Sequence, residues 1–143
     1  MPSVTIDTDP PIDPPPSFAG DSAALVYFLS FAFAARYGAQ HSLTKASMLL
    51  RSGEDKIDLK PLLTFADRDV ENDSDRAELE RVWQDAAPLA DCCRRVVARI
   101  DADASVREQL AEFPALRGLL DELGRIAGRA AEAGARIRLT YEI

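Results

Sequence analysis

From Ala23 to Ala35 the chain reads AALVYFLSFAFAA, thirteen residues with no charge and only Ser30 to break the apolar run. Left in water, such a segment would expose more hydrocarbon than any other part of the chain, so it has to be covered. A membrane span takes about 20 consecutive apolar residues. This run is shorter, is bracketed by Asp21 and Arg36, and has no basic cluster beside it. The expectation is a helix over Ser22–Tyr37, buried nearly all round at the centre of a core, with Asp21 able to cap its start and Gly38 its end.

The rest of the chain supplies covering elements. Ser42 to Arg51 predicts a shorter helix with Leu43, Ala46, Met48, Leu49 and Leu50 as its apolar residues and Gly53 as its stop. From Asp75 to Asp101, Leu79, Val82, Trp83, Ala86, Ala90, Cys93, Val97 and Ile100 recur at spacings of three and four, one face of a long amphipathic helix in which Trp83 belongs to the core. Pro88 deletes a backbone donor inside it, which predicts a kink or break near Ala86 and Ala87. Ser105 and Glu108 read as a capping box for a helix that stops near Phe113. Beyond Pro114, a further amphipathic helix runs from Leu116 to Ala133 and is closed by Gly134. Gly124 and Gly128 within it permit another backbone to approach closely.

Strand signals concentrate at the two ends. Val4 and Ile6 alternate with polar neighbours over Ser3–Thr8, and Ile137, Leu139, Tyr141 and Ile143 alternate with Arg136, Arg138, Thr140 and Glu142. A C-terminal strand over Ala135–Ile143 needs a partner: the N-terminal strand, the weaker alternation around Ile57 and Leu59, or another chain. Pro61 opens a brief helical turn through Phe65. Prolines 2, 10, 11, 14, 15 and 16 make residues 1–20 an extended arm, either a tether or a docking peptide, ahead of one domain over 21–143. The predicted fold is mainly helical α+β: five or six helices, a small sheet from the terminal segments, and the proline-rich arm.

Charge is unevenly spread. Of 24 acidic and 17 basic residues, giving a net charge of -7, residues 54–91 hold 12 acids and 5 bases, so the remainder balances at 12 and 12. That excess repels phosphate backbones and anionic membranes, and neither nucleic acid nor membrane is an expected partner. Adjacent Cys92 and Cys93 point apart on a helix, so two free thiols are expected. With no basic flank and apolar run at the N-terminus, the expected location is the cytoplasm.

One pattern has metal-ligand spacing. Asp67, Asp69, Glu71, Asp75 and Glu78 occupy positions 1, 3, 5, 9 and 12 of a twelve-residue stretch and resemble an EF-hand calcium loop. Asn72 stands where that loop wants glycine and Ser74 where it wants an aliphatic residue, so the resemblance is to a degenerate loop. The competing reading is a helix cap by Ser74 or Asp75. Calcium is the one candidate cofactor. Cys93 lies on the apolar stripe, whereas Cys92 is placed nearer its edge, with Arg95 able to favour a thiolate. His41 precedes a helix as a cap or a solvated residue, and no nucleophile elbow, phosphate loop or zinc set accompanies it. Arg136 and Arg138 share a strand face, and Arg94 and Arg95 cluster on a helix. Either pair is a candidate for binding an acidic partner or for pairing with nearby carboxylates.

These readings favour a small non-catalytic protein-interaction or regulatory module whose partner is another protein or a second copy. Two alternatives stand beside it. One is a calcium-binding protein using residues 67–78; the other is a small enzyme or ligand carrier with a pocket between the Ser22 and Pro114 helices.

Overall fold

The C-terminal strand has partners on both edges. In the computed structural model, which describes residues 2–33 and 40–143, the elements are β1 (Ser3–Asp9), α1 (Ala23–Phe33), α2 (Ser42–Leu50), β2 (Phe65–Asp67), α3 (Asp73–Arg81), β3 (Gln84–Asp85), α4 (Ala86–Ala102), α5 (Ala104–Gln109), α6 (Leu116–Glu132) and β4 (Arg136–Glu142). Together they form an α+β domain of six helices and a small four-stranded sheet. β1 lies antiparallel along the whole of β4, from Ser3 opposite Glu142 to Asp9 opposite Arg136. On the other edge, β3 pairs antiparallel with Arg136 and Ile137, and β2 runs parallel beside Leu139 to Tyr141. The period-two alternation fixes which face is apolar: Val4, Ile6, Ile137 and Leu139 are buried, while Asp7, Asp9, Arg136 and Arg138 lie on the opposite face.

The Ile57 segment is not one of these strands. Ile57 and Leu59 are buried, but the Ile57 N–H donates to Leu50 O at 2.9 Å and the chain turns at once, Leu63 N–H reaching Leu59 O at 3.0 Å. Its alternation anchors a loop. The expected helical turn ends sooner than Phe65, which instead opens β2.

α1 begins as its sequence requires, with the Asp21 carboxylate accepting from Ala23 N–H at 2.9 Å. It is not buried on every side. Leu25, Val26, Phe28, Leu29 and Ala32 face the core against β1, α2 and α6, whereas Tyr27, Ser30 and Phe33 leave a third side open. A helix wedged between three elements has only about two thirds of its circumference to cover, so the apolar run outlasts its packing. The predicted continuation to Tyr37 and the stop at Gly38 lie outside the described residues. His41 caps α2 through Nδ1, which accepts from Leu43 N–H at 3.1 Å, while its ring stacks on Phe31 at 3.8 Å.

The long helical stripe from Asp75 divides before Ala86. α3 ends at Arg81, two residues pair as β3, and α4 starts with Pro88 in its first turn, where a missing N–H leaves no helical bond unmade. The cap of α5 is Asp103 rather than Ser105: its carboxylate accepts from Ser105 and Val106 N–H, and an acid does this as well as a hydroxyl. α6 ends as predicted. Gly134, at φ 69°, lets Ala135 N–H reach Ala130 O and its own N–H reach Ala131 O, the paired bonds of a Schellman motif that aims the chain into β4.

α4 and α6 form the most extensive helix pair among the described residues. The two glycines of α6 differ in role. A Cβ at Gly124 would stand 3.1 Å from Cys93 Cβ, so α4 sits directly on that position, whereas a Cβ at Gly128 would meet nothing within 4 Å. Residues 10–21 cross the α6 side of the molecule. Ile12 and Phe18 pack against the core, Arg129 donates to Pro14 O at 2.7 Å, and Ala19 N–H donates to Glu122 at 2.9 Å.

A difference in stability follows. Gly128→Ala removes backbone freedom at no steric cost and should raise stability by about 0.5–1 kcal/mol. Gly124→Ala should gain clearly less or lose, because Cys93 has to move. Urea unfolding of the two variants checks this, and equal gains would contradict it.

Candidate functional site

The arginines of β4 are engaged within the chain. Arg138 Nη2 pairs with Asp7 at 3.1 Å, and Arg136 Nη2 pairs with Asp9 at 3.1 Å, each across the β1–β4 ladder. Arg68, which sequence reasoning passed over, donates to the same Asp7 oxygen at 3.1 Å and to the Thr140 hydroxyl at 3.0 Å. One partly covered carboxylate thus receives two guanidinium groups, and charge-assisted hydrogen bonds of this kind are roughly twice as strong as neutral ones. Trp83 is not in the core. It lies in the link between α3 and β3 with Arg138 4.5 Å and Arg136 5.3 Å from the centre of its ring, where cation–π attraction aligns both side chains. Arg94 and Arg95 take no part in this cluster. Both pair with Asp91 on their own helix, as surface i,i+3 and i,i+4 neighbours do.

The acidic run is spread along a strand end, a turn and a helix. The Asp67 carboxylate accepts from Asp69 N–H at 2.9 Å, closing the turn after β2. Asn72 caps α3 by accepting from Asp75 N–H at 2.9 Å, and Asp75 accepts in return from Glu71 N–H at 3.0 Å. The cap of α3 is thus Asn72 rather than Ser74 or Asp75, and the return bond to Asp75 comes from the residue before the cap, not from the cap itself as in a capping box. Asp69 and Glu71 are exposed, and Glu78 pairs with Arg81 along the helix. Among the described residues, no three acidic, histidine or cysteine side chains converge as a cation site requires.

Both thiols are buried and unbridged. Burial pushes Cys92 from its ordinary 9.0 to about 11, with Asp58 and Asp91 adding to the effect and Arg95 opposing it only weakly. Cys93, fully enclosed against α6, is raised further, again by burial. The expected partial exposure of Cys92 is therefore corrected: it packs under Asp58, donating to that residue's carbonyl at 3.5 Å. Low thiolate content at neutral pH makes both groups poor nucleophiles.

Two surface grooves lie beside α4. One of about 400 Å³ runs between α4 and residues 54–57, and one of about 340 Å³ between α4 and α6. Neither lies between α1 and α6, where an interhelical ligand pocket was expected.

The open side of α1 leads to an aromatic surface that the sequence does not announce. Phe33 stands edge-on to Phe65 of β2 at 5.9 Å, and Phe65 edge-on to Tyr141 of β4 at 5.8 Å. Phe33 is 64% exposed, and Ile143, two residues beyond Tyr141, is 89% exposed. Partial burial raises the tyrosine's pKa, and Asp67, opposite Tyr141 in the β2–β4 register, adds to the effect. Three rings from three distant segments meet here, so no local spacing could have revealed them. In comparison with known proteins, no family model matches the chain, and no curated protein or solved structure matches it.

The thiols set a pH dependence. A group whose pKa is raised by folding contributes stability that is complete below its unfolded value and is lost as pH climbs through the folded value. Stability should therefore fall between pH 9 and about 11 through Cys92. Cys92→Ala, although less stable throughout, should show a shallower decline in alkaline urea titrations. A decline as steep as that of the unaltered chain would exclude Cys92 as its source.

Proposed function

We propose that this protein is a non-catalytic interaction module that docks another protein on the aromatic surface formed by Phe33, Phe65, Tyr141 and Ile143. The observation that carries the reading is the exposure of Phe33 at the head of a contiguous ladder of rings. Hydrocarbon displayed in this way costs solvation free energy that a partner's apolar side chains recover, and large exposed apolar patches mark interaction sites. No helix among the described residues is long and apolar enough to cross a membrane.

Charge narrows the partner. Asp67 lies opposite Tyr141 in the β2–β4 register, and the acidic 67–78 run continues from the same edge of the sheet. The surface accordingly suits an apolar segment flanked by Lys or Arg, drawn in by the negative field and held by aromatic contact. The two buried, protonated thiols suit a reducing compartment, and the cytoplasm is the proposed setting.

Site-specific photo-crosslinking in the source cell tests the reading. A photoreactive phenylalanine analogue at position 33 should yield a discrete protein adduct that the same analogue at exposed Ala98 on α4 does not. Identical adduct patterns from the two positions, or none from position 33, would refute it.

A further inference from the structure

The way β1 is attached carries a separate conclusion. Its specific contacts are nearly all with residues remote in sequence: seven residues of β4, the Arg68–Asp7–Arg138 bridge and the Asp9–Arg136 pair. The link to α1 is residues 10–22, of which Pro10, Pro11, Pro14, Pro15 and Pro16 have no backbone N–H and favour an extended path. That link has to double back. It leaves β1 at Asp9, beside Arg136, yet returns to Ser22, whose Oγ accepts from Val4 N–H at 2.9 Å.

The two lengths disagree. Asp9 and Val4 are five residues apart on one strand, roughly 17 Å. An extended proline-rich path over the link would cover roughly 40 Å. Within one chain the link is therefore folded back rather than extended, held to α6 by exposed bonds from Arg129 and to Glu122 and to the core by Ile12 and Phe18. Straightened, it would carry β1 to a neighbouring molecule with its contacts to β4 intact, because an identical β4 edge waits there, and would give up the Thr8–Ile12 bond and the packing of Ile12 and Phe18.

We infer that β1 exchanges between two copies of this chain, so that Asp7 of one copy seats between Arg68 and Arg138 of the other. The occupant is defined by charge and pattern. Val4 and Ile6 enter the core while Asp7 and Asp9 meet Arg138 and Arg136, and β1 itself carries that combination. Exchange gives up the advantage of an intramolecular partner and recovers the extension of the link, so the dimer grows with protein concentration.

Cysteines at one exposed register pair report the exchange. Asp9 and Arg136 are directly opposite and both more than half exposed. Full-length Asp9→Cys and Arg136→Cys chains are mixed at high concentration, oxidised and analysed by peptide mass spectrometry. The expected product is an interchain link between positions 9 and 136 whose yield rises with concentration, while a single chain carrying both changes closes on itself. Replacing Pro14, Pro15 and Pro16 by glycine should lower the interchain yield several-fold, because a flexible link folds back freely. No 9–136 link between chains, or a yield indifferent to the glycine replacement, would overturn the inference. Failure of the doubly altered chain to close would overturn the register on which it stands.

Discussion

A strand with neighbours on both sides must place all of its N–H and C=O groups in the ladder, and in this fold that demand falls on β4. Seven residues of β1 satisfy one edge, while β2 and β3 divide the other. The helices are arranged around this requirement. α6 delivers the chain to β4 through the Gly134 turn, α3 ends where β3 can pair, and α1 closes the apolar face over Val4 and Ile6. Without β4, the strand segments of residues 3–9, 65–67 and 84–85 would have nothing to join.

The two faces of β4 do different work. Ile137 and Leu139 bind the helical layer through burial, and each such side chain contributes about 1.5–3 kcal/mol relative to exposure. The opposite face is held by ion pairs. Exposed pairs contribute little on their own, but Asp7 is bound by two arginines, one of which lies on Trp83 and is also tied to the carbonyl of Leu79. Removing this shared, partly covered carboxylate would weaken two arginines at once, leaving Arg68 to Glu142 and Thr140 and Arg138 to Glu80 and the Leu79 carbonyl. The acidic excess of residues 54–91 is handled differently, through caps and turn closures, which fix local backbone and leave the surface negative.

Much of the architecture was legible because it rests on local signals. Alternation placed both terminal strands to within one residue of their ends, and Gly134 ended α6 through a positive-φ conformation that glycine adopts without strain. Pro88 marked a break within a few residues because its missing donor is tolerated only in a first turn. What failed depended on tertiary context. Periodicity put Trp83 in a helix core, yet the chain leaves the helix at Val82 to reach β4, and the ring became a support for arginines. Ile57 and Leu59 alternate like a strand but anchor a turn. The arginines of β4 were recognised, while their partners, Asp7, Asp9 and Arg68, were not, since antiparallel pairing across 131 positions leaves no local trace. The aromatic surface was invisible for the same reason.

The pairing of Ser3 with Glu142 also sets a timetable for biosynthesis. β1 must wait for residues 136–142, which are made only after α1 to α6 have been synthesised. Until then Val4, Ile6 and the inner side of α1 lack their cover, so the nascent chain carries an open hydrophobic seam that chaperones can engage. Contacts of such long sequence separation also slow the final closure, which makes the last turn of α6 and the residues after it the step on which productive folding of each new molecule depends.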